Sequence, residues 1–306
     1  MEHQVKAYAF IAPSLLILTV FVFIPLAGAI GISLMNIDIY MKNISFAGIA
    51  NYIKMFQDER VANATFHTFY FALLEVPLQM IVALLLLMFM LRNTKLHKLL
   101  RTVFYLPYVC SMTAVSIMWS MLLNTHYGML PHLLGKIGIT MPNMLSSTTW
   151  AMPTVIFVTV WKGFGYTLTI LSAAALGVSQ SLYEAAEIDG AGPIRTLVTV
   201  YLPLSLPSLA TLALFYAVGR WNGFSDALMY LKSSKAEKYW PIQLLLYNII
   251  KNSTQSSEIA TQEGFFSAGV SKTIQMASVM FATVPILLVY PWLQRYFVTG
   301  VTIGAV

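Results

Sequence analysis

Six long apolar stretches dominate this chain, near residues 8–35, 67–91, 103–123, 150–176, 203–231 and 273–297. Each is close to the roughly 20 residues that a helix needs to cross a bilayer core. In hydrocarbon every backbone N–H and C=O must be satisfied internally, which leaves helices or a closed barrel. Leu, Ile, Val, Met, Phe and Ala fill the stretches without the alternation of a membrane barrel. Composition agrees, since 58% of the 306 residues are hydrophobic and 10% are charged. A soluble domain carries about a quarter charged residues. The same numbers exclude disorder. The expected fold class is an all-α membrane protein with six transmembrane helices, forming one domain over residues 1–306.

Other classes fall away on chemistry. The formal charge of +6 is not gathered into a basic stripe, so no nucleic-acid partner is expected. The single cysteine, Cys110, excludes an internal disulfide and a cysteine-built zinc site. It falls in an apolar stretch, where a thiol is expected to be inert. His3, His67, His97, His126 and His132 show no metal-ligand spacing, so no metal site is expected. A membrane-embedded enzyme would need a nucleophile or metal motif, and neither His-Glu-x-x-His nor Gly-x-Ser-x-Gly occurs. A self-sufficient secondary transporter favours visible internal repeats, which are absent here. There is no Gly-x-x-x-x-Gly-Lys-Ser/Thr loop to cradle phosphates, so the chain is not expected to hydrolyse ATP.

The first stretch is too long for a cleaved signal peptide, and no small-residue cleavage site follows it. The short loop Arg92 to Arg101 holds Arg92, Lys95, Lys98 and Arg101 and no acid, which places it on the cytoplasmic side. Six spans then put both termini inside, and segments 36–66, 124–149 and 232–272 outside. Pro25, Pro77, Pro107, Pro153, Pro285 and Pro291 interrupt the spans, as kinks or as bends lining a cavity.

Residues 177–203 form the most distinctive loop. Ser181 and Glu184 have capping-box spacing, which starts a helix. Gly190 is placed to end it in the left-handed region. Gly192-Pro193 turns the chain, with Pro193 suited to the first position of a second helix. Pro203 is expected to reset the chain before the fifth span. The result is a polar helix–turn–helix elbow exposing Glu184, Glu187 and Asp189. By composition alone it is a solvated surface.

Its arrangement is more specific. Glu184-Ala185-Ala186, Gly190 six residues after Glu184, then Val200, Leu202 and Pro203 resemble the EAA loop of binding-protein-dependent ABC importer permeases. Val200 replaces the Ile of that pattern. Phe104-Tyr105-Leu106-Pro107, Tyr127-Gly128 and Val160-Trp161-Lys162-Gly163-Phe164-Gly165 resemble maltose-permease-type sugar subunits. Tyr216-Ala217-Val218-Gly219-Arg220-Trp221-Asn222 and Gly300-Val301-Thr302-Ile303-Gly304-Ala305 resemble the partner-type subunits of complex-polysaccharide importers, with Arg220 at a His position.

The resemblance implies the type I importer transmembrane fold in the bacterial inner membrane. It implies a second permease subunit, an ATPase dimer carrying ATP and Mg, and an extracytoplasmic solute-binding protein as partners. The elbow becomes a coupling helix on the ATPase, with Glu184, Ala185, Ala186, Glu187, Asp189, Gly190, Leu202 and Pro203 as the coupling residues. The implied cargo is a carbohydrate, and no cofactor belongs to this chain.

Charged groups in or near the spans are Glu75, Lys162, Arg220 and Asp226. Such charges face the bundle interior or a wet cavity. They either pair with one another or line a polar path. Asn222 and Asp226 are expected on one helix face, four residues apart. Arg220 and Asp226 are not, so a direct bond between them is not expected. Trp119, Trp161, Tyr166 and Trp221 either pack or stack on sugar rings. Lys162 and Arg220, if unpaired in a cavity, would favour an acidic oligosaccharide. Gly219 and Gly223 make a Gly-x-x-x-Gly step suited to close helix contact.

Overall fold

A computed structural model describes residues 2–37, 44–90, 94–176, 179–231, 234–251 and 272–303. The chain divides into two compact units, Met1–Ala62 with Leu245–Leu287, and Asn63–Leu244 with Leu288–Val306.

In the first unit, helices α1 (Glu2–Leu18) and α2 (Ile24–Ser33) are joined by a wide π-helical turn at Thr19–Phe23. The Ile24 N–H reaches back five residues to the Thr19 carbonyl. Pro25 follows at once, and the widened turn absorbs its missing donor and its ring, so the helix continues. The apolar stretch Tyr8–Ser33 therefore forms one span-length helix, with none of its most apolar window buried. Strands β1 (Met35–Ile37) and β2 (Ile44–Phe46) pair antiparallel, with Asn36 opposite Ser45. Helix α3 (Ala50–Gln57) secures the end of α2. Its buried Asn51 donates to the Ser33 and Met35 carbonyls at 2.9 and 2.8 Å, and the Tyr52 hydroxyl meets the Ser33 hydroxyl at 2.7 Å. Those bonds satisfy carbonyls that a helix end leaves open.

The second unit begins within α4 (Glu59–Phe89), which supplies a long span. The expected span 103–123 is two helices, α5 (Lys95–Val109) and α6 (Met112–Leu122), bent by 94°. Cys110 and Ser111 are extended at the break, and the Ser111 hydroxyl caps α6 by accepting from the Ala114 N–H at 3.2 Å. Cys110 is exposed at this break rather than enclosed in a span. The short α7 (Met129–Lys136) leads to α8 (Ala151–Leu176), α9 (Gln180–Ile188) and α10 (Pro193–Thr196).

A second π-helical turn at Leu197–Tyr201 joins α10 to α11 (Leu202–Asn222). The Leu202 N–H bonds to the Leu197 carbonyl, and Pro203 follows as Pro25 does in the first span. Pro203 therefore does not reset the chain. The helix at the expected fifth span covers Ile194–Asn222, not 203–231. It stops at Gly223, and a separate helix, α12 (Ser225–Tyr230), follows. Helices α13 (Ile242–Lys251) and α14 (Lys272–Ile303) complete the described elements. Among the described residues four helices are long and apolar enough to cross a membrane, and the bent pair brings the number to five.

The second unit has two apolar clusters. One joins Val115, Met152, Val155, Val158, Ala227, Tyr230 and Leu244. The other joins Ala83, Leu87, Leu168, Leu171, Tyr201, Leu209 and Leu212. Helices α5 and α8 cross closely because Gly165 has no side chain, and a Cβ there would overlap the Phe104 carbonyl. The Gly219 of the Gly-x-x-x-Gly step faces open space, so the close crossing is at Gly165 instead.

Candidate functional site

A polar layer lies between the two apolar clusters, along α4 and α8 and the C-terminal turns of α11. Glu75 and Gln79 are four apart on α4, and Tyr216 and Arg220 are four apart on α11, so each pair shares a helix face. Glu75 and Gln79 are 0% and 1% exposed, which makes partners necessary. Arg220 Nε lies 3.3 Å from Glu75 Oε2, and Arg220 Nη1 lies 2.5 Å from Asp226 Oδ2. Gln79 donates to the Thr167 hydroxyl at 2.8 Å, which meets the Tyr216 hydroxyl at 2.7 Å.

The bond between Arg220 and Asp226 overturns the expectation that they stand apart. That expectation assumed one continuous helix. The helix ends at Asn222, and the chain swings through Gly223 and Phe224 before Asp226. For the same reason Asn222 and Asp226 do not share a face, and Asn222 is exposed at the helix end. A cavity of about 20 Å³ adjoins the pair, lined by Thr68, Phe71, Met152, Arg220, Asp226 and Pro241 among others. That volume holds one water molecule and excludes a sugar ring.

Lys162 has a different setting. Its ammonium donates to the Tyr108 carbonyl at 2.9 Å and lies 5.5 Å from the centre of the Tyr108 ring. Tyr108 is one residue from the end of α5, where carbonyls lose their helical donors, and a cation there also meets the negative end of the helix dipole. Tyr108 stacks on Tyr166 with centroids 4.5 Å apart and planes at 11°. Trp119 meets Phe157 and Trp161 edge to face at 5.6 and 5.4 Å, inside the packing around Val155 and Tyr230. Trp221 packs on Phe69 at 5.4 Å.

The expected elbow is formed by α9 and α10, with one shift. Ser179 precedes the helix and Ser181 lies in its first turn, the two hydroxyls meeting at 2.7 Å. The helix therefore starts earlier than the capping-box spacing of Ser181 and Glu184 predicts. Its end is as expected. Gly190 has φ +70°, and the Ala191 N–H bonds to the Ala186 carbonyl at 2.9 Å, the six-to-one bond of a Schellman stop. Glu184, Ala185, Asp189 and Pro203 are exposed, Leu202 is half-buried, and Ala186 is buried. The Glu187 side chain lies outside the described residues, as do the structures of Arg92, 252–271 and 304–306. Tyr201 ties the elbow to α8 by donating to the Leu171 carbonyl at 2.6 Å. Burial pushes the Tyr183 phenol above its ordinary range. Ile188 and Ile194 are 85% and 67% exposed on the two elbow helices.

Gln79, Thr167 and Tyr216 were not singled out from the sequence. Gln79 and Tyr216 carried a signal, the four-residue spacing to Glu75 and Arg220, and Thr167 carried none. Among the described residues no group of three or more His, Cys, Asp or Glu is placed to hold a metal ion.

Known proteins give these features a context. The permease protein YtcP of Bacillus subtilis, named for polygalacturonan/rhamnogalacturonan transport, is 40% identical over 141 residues, covering 46% of this chain and 48% of that protein. The chain thus matches about half of that relative's length. The sn-glycerol-3-phosphate transport system permease protein UgpA of Yersinia pestis is 32% identical over 203 residues, 65% of this chain and 68% of that protein. A subunit of a bacterial alginate ABC transporter, solved with an alginate pentasaccharide-bound periplasmic protein, superposes with TM-score 0.76 at 20% identity, covering 96% of this chain and 94% of that one. The fold is that of an ABC importer permease subunit. Residues 59–303 match the family described as binding-protein-dependent transport system inner membrane component, and the chain belongs to that family.

Proposed function

We propose that this chain is one permease subunit of an ATP-driven importer of oligosaccharides. It works with a second permease, an ATPase dimer and an extracytoplasmic solute-binding protein. It crosses the inner membrane six times with both termini in the cytoplasm. ATP and Mg belong to the ATPase, and this chain binds no cofactor.

The elbow is the observation that carries the reading. Two short polar helices expose the large apolar side chains Ile188 and Ile194 beside the acids Glu184 and Asp189. Exposed apolar groups rimmed by polar ones mark a docking surface. The Schellman stop at Gly190 fixes the angle of the first helix, and Tyr201, in the turn after the second, bonds to α8. A push on the elbow is thereby transmitted to a span. The oligosaccharide assignment is supported by the sugar-polymer names of YtcP and of the alginate transporter. The path runs past Lys162, Tyr166, Trp221 and Asn222 and is completed by the second permease. Trp119, Glu75, Arg220 and Asp226 serve it by shaping the subunit from within.

The test is gentle detergent extraction of the tagged chain from its native membrane, with mass spectrometry of what accompanies it. A second permease and a P-loop ATPase are expected. A stable chain recovered alone would overturn the assignment. The likeness to UgpA favours a second reading, a small phosphorylated polyol as cargo. Competition of labelled oligosaccharide uptake by glycerol phosphate separates the two.

A further inference from the structure

The two cations of the polar segments have unequal surroundings. Arg220 meets two carboxylates, Glu75 and Asp226, so its charge is more than offset. Lys162 has no carboxylate within ion-pair distance among the described residues. What holds it is a neutral carbonyl at 2.9 Å and the face of Tyr108 at 5.5 Å. These orient the ammonium without cancelling its charge, and they use one of its three donors. Tyr108 stacks on Tyr166 at 4.5 Å, and Tyr105 adjoins Tyr108 at 5.6 Å. The cluster is open, with Tyr108 41% exposed and Lys162, Tyr105 and Tyr166 half-buried.

We propose that Lys162 with Tyr105, Tyr108 and Tyr166 forms a subsite for the carboxylate of a uronic-acid unit in an acidic oligosaccharide. The proposal rests on the oligosaccharide-importer reading above. The ammonium supplies a charge-assisted hydrogen bond to the carboxylate. The phenols supply hydroxyls for sugar oxygens and flat apolar edges for the pyranose. A resident acid would compete with such a cargo, and Arg220 has two. Lys162 is held at the bend between α5 and α6 with no carboxylate in contact, Asp226 acting on it only from beyond ion-pair distance. It reads the anion as it passes and releases it again.

The test uses the assembled importer, with its second permease, ATPase and binding protein, in proteoliposomes. Uptake of trigalacturonate is compared with uptake of its methyl ester, which keeps the sugar and removes the charge. The binding protein is the same throughout, so its own preference cancels between parent and variant. Lys162→Gln is expected to lower acid uptake about tenfold, because the charge-assisted bond is lost, and ester uptake less than about twofold. Lys162→Arg keeps the charge and is expected to retain most of the acid uptake. Tyr108→Phe keeps the ring stack and is expected to lower acid uptake about threefold, the cost of one neutral hydrogen bond.

Equal losses for acid and ester in Lys162→Gln would make Lys162 a helix cap alone and overturn the subsite. Unchanged acid uptake would do the same. If the parent carries only the ester, the subsite fails and the importer stands. If the parent carries neither sugar, the oligosaccharide reading fails with it.

Discussion

Arg220 reaches Asp226 across a break in the backbone, and that break, rather than helix periodicity, brings the two charges together at 2.5 Å. The same guanidinium lies 3.3 Å from Glu75 on α4. One arginine thereby joins three segments of the second unit and offsets a carboxylate that is wholly buried.

Loss of Arg220 is expected to destabilise more than loss of the whole pair. Arg220→Gln leaves Glu75 buried without its cation, and breaking a buried pair from one side costs about 3–5 kcal/mol. Glu75→Gln added to it removes the orphaned charge and recovers most of that loss. Thermal unfolding of the purified complex in detergent measures both. A double variant less stable than Arg220→Gln would contradict the pairing. In transport, Arg220→Gln is expected to leave the ratio of acidic to neutral sugar uptake unchanged, because the arginine is already occupied.

Gly165 and Gly219 are expected to respond unequally to the same substitution. A Cβ at Gly165 would overlap the Phe104 carbonyl, whereas Gly219 faces open space. Overpacking typically costs about 1–3 kcal/mol. Gly165→Ala is expected to lower the melting temperature and the yield of folded chain. Gly219→Ala is expected to change neither by much in the isolated subunit. A reversal of that order would show that α5 and α8 do not cross as described.

At the elbow, Gly190 has φ +70°. A side chain in that region costs about 1–2 kcal/mol, so Gly190→Ala loosens the stop without preventing insertion. Gly190→Pro cannot adopt the conformation at all. Combined with Glu184→Ala, it is expected to leave the chain in the membrane while ATP hydrolysis no longer drives uptake. Parallel assays of ATPase activity and solute uptake in proteoliposomes check this. Full uptake by the double variant would remove the coupling role.

Asp58 gives a pH dependence outside the spans. Its carboxylate accepts from the Arg60 N–H at 2.9 Å and from the guanidinium at 3.1 and 2.7 Å. The Arg60 side chain holds the carboxyl below its usual range, against a smaller opposing effect of burial. A depressed folded-state value stabilises above the unfolded value, near pH 4 for an aspartate, and that contribution fades as pH falls through the folded value. Asp58→Ala is expected to cost about 1 kcal/mol at neutral pH, as for other helix N-caps. The gap from the parent should narrow below about pH 4 in melting curves taken across pH. A gap independent of pH would place the stabilisation elsewhere.

The elbow was legible residue by residue. A left-handed stop at Gly190 and a restart at Pro193 are local backbone constraints, and local constraints are written in adjacent residues. Even there the helix begins at Gln180, ahead of the expected start at Ser181, and the Ser179 hydroxyl bonds to that of Ser181. Pro203 misled: it read as a reset of the chain, yet it follows a π-helical turn that lets the helix pass, as Pro25 does.

The sequence by itself determined the solvent, the apolar helices, the elbow and the family pattern, because hydropathy and backbone chemistry act over one helix turn or one span. Only the tertiary structure decided which polar groups meet. Glu75 and Arg220 are 145 positions apart, and Lys162 finds the Tyr108 carbonyl 54 residues away. Buried polar groups take whatever partner the packing of neighbouring helices brings within about 3 Å. That packing depends on helix breaks at Gly223 and Cys110 and on the close crossing at Gly165. No periodicity within a single helix encodes it.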